Sequence, residues 1–258
     1  MAFYYNQNDY GNVAYNKPDG TKKTIKTSGC GVVSACIVFN SLAGKELYTV
    51  AQMAKFSISV GARNNYGTDE GKLLTALCKA NKGFTYKTTN DVNKVVSHLK
   101  AGGMVICNQG DVYNVFSTAG HFVVADRMVG SSIDILDPQM YSGKYDAYDR
   151  PKRIVSRTSC GCVVSANELS KACADRSPAY FLITYTGRES TMSKYGNAYM
   201  KSAQTVYCDS DLTTKIGSVS SGERVYYLGT GEGNVIITYR TAKGYKAGFV
   251  KANTVKKD

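Results

Sequence analysis

The chain has 258 residues, enough for one large domain and a small one at ~150 residues per domain; 43% are apolar and 20% charged, which excludes long-range disorder and a fibrous repeat. No stretch reaches the ~18 to 20 consecutive apolar residues that span a bilayer, and MAFYYNQNDYGN has neither a basic nor an apolar signal region, so synthesis in the cytoplasm without a signal peptide is expected. Lysine and arginine outnumber carboxylates 32 to 20, a formal charge of +12 spread over both residues 1–185 and residues 186–258, which favours polyanions; with no arginine-rich run, zinc-finger spacing or RNA-recognition signature, nucleic acid is read against and an anionic wall fits.

Residues 30–42, CGVVSACIVFNSL, are apolar nearly all round and predict a buried helix with Cys30 in its first turn. Further helices are predicted near 49–58, 69–80 and 91–100. The second is opened by Thr68-Asp69-Glu70, acids at the positive helix end, and the third turns Val92, Val95, Val96 and Leu99 inward. From about 103 the pattern turns to strands: GMVICNQ, HFVVADRM and SSIDILDP, the last two a hairpin around Gly130. A polar, tyrosine-rich excursion at 139–160, a short helix near 165–174 and a strand at 179–185 complete an α+β domain with helices on a sheet. TGRESTMSKYGN (186–197) reads as a linker, and TVYC, KIGSV, ERVYYLG, NVIITYR and KAGFVKA then predict a small β-barrel. The expected division is 1–186, a linker at 187–194, and 195–258.

Eight cysteines in a chain of this length need not be paired, and Cys160-Gly161-Cys162 has no second Cys/His pair at zinc-like spacing; no metal or other cofactor is expected. Cys30 is the thiol placed for chemistry. Glycines flank it in SGCGV, and a helix N-terminus favours the nucleophilic thiolate. Cys36, Cys78 and Cys107 read as core thiols. Of the two histidines, His98 falls on the polar face of its helix as a solvated side chain, whereas His121 opens an apolar strand at a sheet rim, where a general base can be held. Asp126, Asp134 and Asp137 compete to orient it. A turn at Val129-Gly130 sets Asp137 opposite Phe122 and one at Gly130-Ser131 sets it opposite Val124; Asp134 is farther in both, so Asp137 is the preferred orienter.

Gln7 in YYNQNDY, Cys30 in SGCGVVSA, His121 in GHFVVAD and Asp137 in IDILDP, in that order, resemble papain-superfamily cysteine peptidases of the bacteriocin-leader-peptidase-like (C39-like) type. The resemblance covers residues 1–185. It implies a papain-like α+β fold, a Cys30–His121–Asp137 triad, and Gln7 as an oxyanion donor beside the Cys30 N–H. Gly29 stands where polar residues are frequent in that family, and the 139–160 excursion has no counterpart there. Residues 195–256 resemble a bacterial SH3-like (SH3b) domain, departing from it in having no tryptophan and no RSGP element. Together the resemblances imply a peptidoglycan hydrolase like a phage endolysin, which reaches the wall through a holin pore, cuts an amide of the wall peptide, and has peptidoglycan and anionic wall polymers as partners. The alternatives are a peptidase acting on a protein or leader peptide, and a non-catalytic wall-binding protein.

Overall fold

Four predicted helices begin at side chains that satisfy their free N–H groups. In the computed structural model, which describes residues 2–186, 196–241 and 244–258, Thr49 and Gln52 form a capping box and Asp69, Asp91 and Ser165 each accept from a first-turn amide. The chain separates into two compact units, 1–187 and 188–258, and the linker expected at 187–194 lies outside the described residues.

The first unit runs through a 3-10 turn (Gln7–Tyr10), α1 (Ile25–Ser28), α2 (Cys30–Ala43), α3 (Val50–Ser59), α4 (Glu70–Ala80), β1 (Phe84–Thr89), α5 (Val92–Lys100), β2 (Met104–Gln109), β3 (His121–Val129) and β4 (Ser132–Leu136). A second 3-10 turn (Lys144–Asp146), α6 (Arg150–Arg153), β5 (Ser156–Thr158), β6 (Gly161–Ser165), α7 (Ala166–Ala172) and β7 (Tyr180–Tyr185) follow. The strands form one antiparallel sheet in the order β1-β7-β2-β3-β4-β6-β5. Helix α2 is buried from Gly31 to Leu42, and its Val32, Ile37 and Phe39 share a core with Leu73, Leu74 and Leu77 of α4 and with Ile106, Val124, Phe181 and Ile183 of the sheet. At ~1.5–3 kcal/mol per buried aliphatic or aromatic side chain, this core fixes where the α2 N-terminus lies. The opposite face carries α5 and α7, through Val95, Leu99 and Leu169 against Val105, Val123, Ala125, Ile133 and Ile135.

Three details correct the sequence reading. The excursion contains β5 and leads into β6, which close the sheet edge beyond β4, and FTYKTT after Gly83 forms β1 at the other edge. His98 is not a solvated side chain, because its Nε2 lies 2.8 Å from the Ile183 carbonyl and its ring covers Gly103, where a Cβ would meet Nε2 at 2.1 Å.

The second unit contains β8 (Ala198–Met200), β9 (Gln204–Tyr207), β10 (Lys215–Val219), β11 (Arg224–Gly231), β12 (Asn234–Thr241), β13 (Gly244–Val250) and β14 (Val255–Lys257). They form an antiparallel series β10-β9-β13-β12-β11-β8-β14 around Met200, Val206, Val225, Ile237 and Val250. Five strands were expected here, and the described residues form seven. The added β8 and β14 pair with each other, so the two ends of the unit are joined, and Arg224 ties Asp258 to the Gly196 carbonyl. Among the described residues no ladder joins β10 to β14, so the strands form an open series, and the small barrel expected here is not shown. No described helix is long and apolar enough to cross a membrane.

Candidate active site

Helix α1 ends at Gly29, which is both its C-cap and the N-cap of α2. A Cβ on Gly29 would meet the Ile25 carbonyl oxygen at 2.6 Å, so the residue before Cys30 must be glycine for the two helices to abut. Cys30 is thereby set, half-buried, at the positive end of a 14-residue helix.

The Cys30 thiol faces His121, and each group shifts the pKa of the other. Burial pushes the thiol pKa up, but His121, with the Phe122 and Gly31 N–H groups, outweighs it and holds the thiol below its ordinary value. His121, 4% exposed, opens β3 and puts Nε2 2.9 Å from Asp137 Oδ1, which leaves Nδ1 for the thiol. Burial lowers the His121 pKa, and the Asp137 charge and hydrogen bond more than reverse that, so the ring holds its proton above the usual range. Burial also acts to raise the Asp137 pKa, but His121 and Lys144 outweigh it and keep the carboxyl far below its ordinary value.

The contact between His121 and Asp137 depends on a β-bulge. Near the turn, Val129 pairs with Ser132 and Arg127 with Asp134, the register of a Gly130-Ser131 turn; past Asp126 the pairing slips by one, to Ala125–Ile135 and Val124–Leu136. Directly paired residues share a face of the sheet, so either unbroken register would have set Asp137 on the face of Phe122 or Val124, away from His121. The bulge brings it to the face of Val123 and His121. Asp126 and Asp134 are both paired with Arg127, Asp126 Oδ2 at 2.7 Å and Asp134 Oδ2 at 2.5 Å, and neither joins His121.

Gln7 is 3% exposed in the turn packed on α1, where its Nε2 donates to the Lys26 carbonyl at 2.9 Å and its N–H to the Pro138 carbonyl at 2.6 Å. Tyr4 Oη donates to the Asp137 carbonyl, and Asn6 and Asn8 both donate to the Met140 carbonyl. The N-terminal strap thus joins the segment after Asp137 to the helix before Cys30, and brings the stretch carrying Gln7 to the site.

Sequence reasoning missed four contributors. Lys144 and Tyr145 reach Asp137 from the excursion. Gln109 is buried in β2 and binds Phe116, Ser117 and Ala119, holding in shape the loop that delivers His121; a polar residue ending an apolar strand was the available signal. Glu70 was read as a first-turn acid facing the helix end, but Asp69 is the cap, and Glu70 turns inward at 3% exposure with both carboxyl oxygens unpartnered. A Cβ on Gly31 would meet Glu70 Oε2 at 2.6 Å, so Gly31 makes the room.

Burial first, then the charges of Cys30 and Asp69, raise the Glu70 pKa well above its ordinary value, so the folded protein keeps a proton that the unfolded chain releases. A raised carboxyl pKa gives stability that is present below the unfolded pKa of about 4.5 and is lost as pH rises toward the folded value. Glu70→Gln is therefore expected to raise Tm at pH 7, the gain shrinking to nothing below about pH 4.5 in thermal melts. A lower Tm for the variant at pH 7 would show instead an ionised, partnered carboxylate.

No family model matches the sequence, and no curated protein does. Among solved structures, the chain is similar to the peptidase domain of Streptococcus ComA, a bifunctional ABC transporter of a quorum-sensing pathway, at 13% identity over 62% of this chain and 93% of that one, TM-score 0.41. It is similar to a C39-like peptidase from Bacillus anthracis at 17% identity over 62% and 89%, TM-score 0.41. A third likeness is to Ly7917, solved with the hydrolysing product of MDP, at 17% identity over 67% of this chain and 62% of that one, TM-score 0.23. Likeness at this level carries no argument for function, which rests on the geometry above.

Proposed function

We propose that this protein is a papain-like cysteine hydrolase that cleaves an amide of the peptidoglycan peptide, in the manner of a phage endolysin. The observation that carries the reading is buried His121, held by Asp137 at 2.9 Å, beside Cys30 at the N-terminus of α2, where His121 lowers the thiol pKa. In this reading the Cys30 thiolate attacks the carbonyl carbon, and the oxyanion is met by the Cys30 N–H and Gln7 Nε2. That nitrogen carries two hydrogens, and one is taken by the Lys26 carbonyl. His121 gives its proton to the leaving amine as the tetrahedral adduct collapses to a thioester. It then takes a proton from water, whose oxygen attacks the thioester to release a carboxylic acid and restore Cys30.

The wall as substrate is supported by the net charge of +12 and by the second unit, taken as an SH3-like wall-binding module that concentrates the enzyme on its polymer. Tyr226 and Tyr245 meet edge-on there, 6.4 Å between centroids, and remain partly exposed, a surface suited to stacking on sugars. Mass spectrometry of a digest of purified wall tests the reading. New amines and carboxylates are expected, at the muramoyl–alanine bond for an amidase or within the stem or cross-bridge for an endopeptidase. New sugar reducing ends would overturn it, since glycoside hydrolysis needs two carboxylates flanking a sugar.

A further inference from the structure

The Asp137 carboxylate receives donors on both oxygens. Oδ1 accepts from His121 Nε2 and the Gln139 N–H, each at 2.9 Å, while Oδ2 accepts from Lys144 Nζ at 2.5 Å and Tyr145 Oη at 2.7 Å. The Lys144 side chain is 1% exposed, and its ammonium also donates to the Gln139 carbonyl. Buried Arg150 donates to the Lys144 carbonyl, so the loop bearing these groups is itself pinned. Burying an ammonium is costly, and a role limited to holding a loop would be met as well by an apolar side chain.

We propose that Lys144 and Tyr145 are positioning residues: they fix the Asp137 carboxylate, and the Lys144 charge sets the proton affinity of the Cys30–His121 pair. This rests on the reading of Cys30 as the nucleophile. In the reactive state the charges of these four groups alternate: thiolate, imidazolium, carboxylate, ammonium. Other groups facing Asp137 are Cys162 of β6, Tyr4 over its main chain and Cys160 beyond Tyr4, all neutral when protonated. Buried Arg63 and Glu70 act on Cys30, and buried Arg150 on the Lys144 carbonyl; none of the three changes in the variants below. Without the ammonium the set is one positive charge poorer and holds its protons more tightly, so both the thiol and the imidazolium titrate at higher pH.

The test needs no substrate. Alkylation of Cys30 by iodoacetamide, followed at the Cys30 peptide by mass spectrometry between pH 3 and 10, should show two inflections in the intact chain: a lower one where the thiolate–imidazolium pair forms and an upper one where the imidazolium loses its proton. Lys144→Met should move both upward by about one pH unit. Lys144→Arg, which restores the charge, should return them toward their original positions. A Lys144→Met protein with wild-type inflections and reduced rates alone overturns the inference, because a purely structural role lowers amplitude without moving a titration. If Lys144→Met does not fold, Tyr145→Phe decides. Loss of its hydrogen bond leaves more of the carboxylate's charge acting on His121, so the upper inflection should rise by several tenths of a unit, and an unmoved one overturns the inference. A single inflection near the ordinary cysteine value of about 8.5 in the wild type would overturn the nucleophile reading itself, and this inference with it.

Discussion

Cys30→Ala is expected to abolish turnover of purified wall, a fall on the order of 10⁴- to 10⁶-fold, with the fold and wall binding intact. No other cysteine with a resolved shift can substitute. Burial pushes the Cys36, Cys162 and Cys173 thiols up to about 12 and Cys107 well above its ordinary value, whereas Cys30 alone moves down. Cys36 sits on the same helix with Sγ 3.2 Å from the Tyr48 carbonyl, so Cys36→Ala is the control: turnover stays while stability falls through lost packing. Lysis assays of the two variants beside circular dichroism decide the matter. Wall lysis retained by folded Cys30→Ala, or lost equally in both, would remove Cys30 from the mechanism.

Asp137→Asn should lower the rate on the order of 10²- to 10⁴-fold and also lower Tm, while Asp134→Asn and Asp126→Asn stay within a few-fold of wild type. An asparagine oxygen turned to His121 Nε2 places its amide NH₂ toward Lys144 Nζ and Tyr145 Oη. A donor then faces a buried ammonium that has lost its counter-charge. Removing one partner of a buried ion pair typically costs about 3–5 kcal/mol, so the loss should be visible in a melt as well as in kinetics. Asp134 and Asp126 share the Arg127 guanidinium, which is 62% exposed, and neither contacts His121, so their loss leaves the base oriented even where stability falls. Equal losses of rate across the three variants would show that Asp137 does not orient His121.

The local signals in the sequence were sufficient for the elements that carry the site. An all-round apolar run made α2 a buried helix, its start placed Cys30, and the rarity of histidine left His121 as the candidate base with Asp137 as its preferred orienter. These are short-range properties: periodicity, capping chemistry and residue type act within a few positions and can be read without knowing the fold. They also gave the strands of the hairpin, but not the bulge. A one-residue slip at Asp126 leaves composition and alternation almost unchanged, yet it decides which face Asp137 occupies and so whether it meets His121 at all.

The remaining features belong to the tertiary structure because their partners are far apart in the chain. Lys144 lay in the polar, tyrosine-rich excursion, to which the sequence assigned no role. Its burial goes with that of Tyr145, which shares a core with Val123, Ile133, Ile135 and Cys162, and with the Asp137 carboxylate as counter-charge. His98 looked solvated on its own helix until β7, 85 residues on, offered the Ile183 carbonyl. Glu70 had the sequence context of a helix-end acid, and only the glycine at position 31 opens the space into which it turns. The sequence by itself determined which groups are capable of the chemistry. Their charge states and mutual orientation were decided by burial and strand register, because desolvation and Coulomb interaction depend on distances that only the folded chain sets.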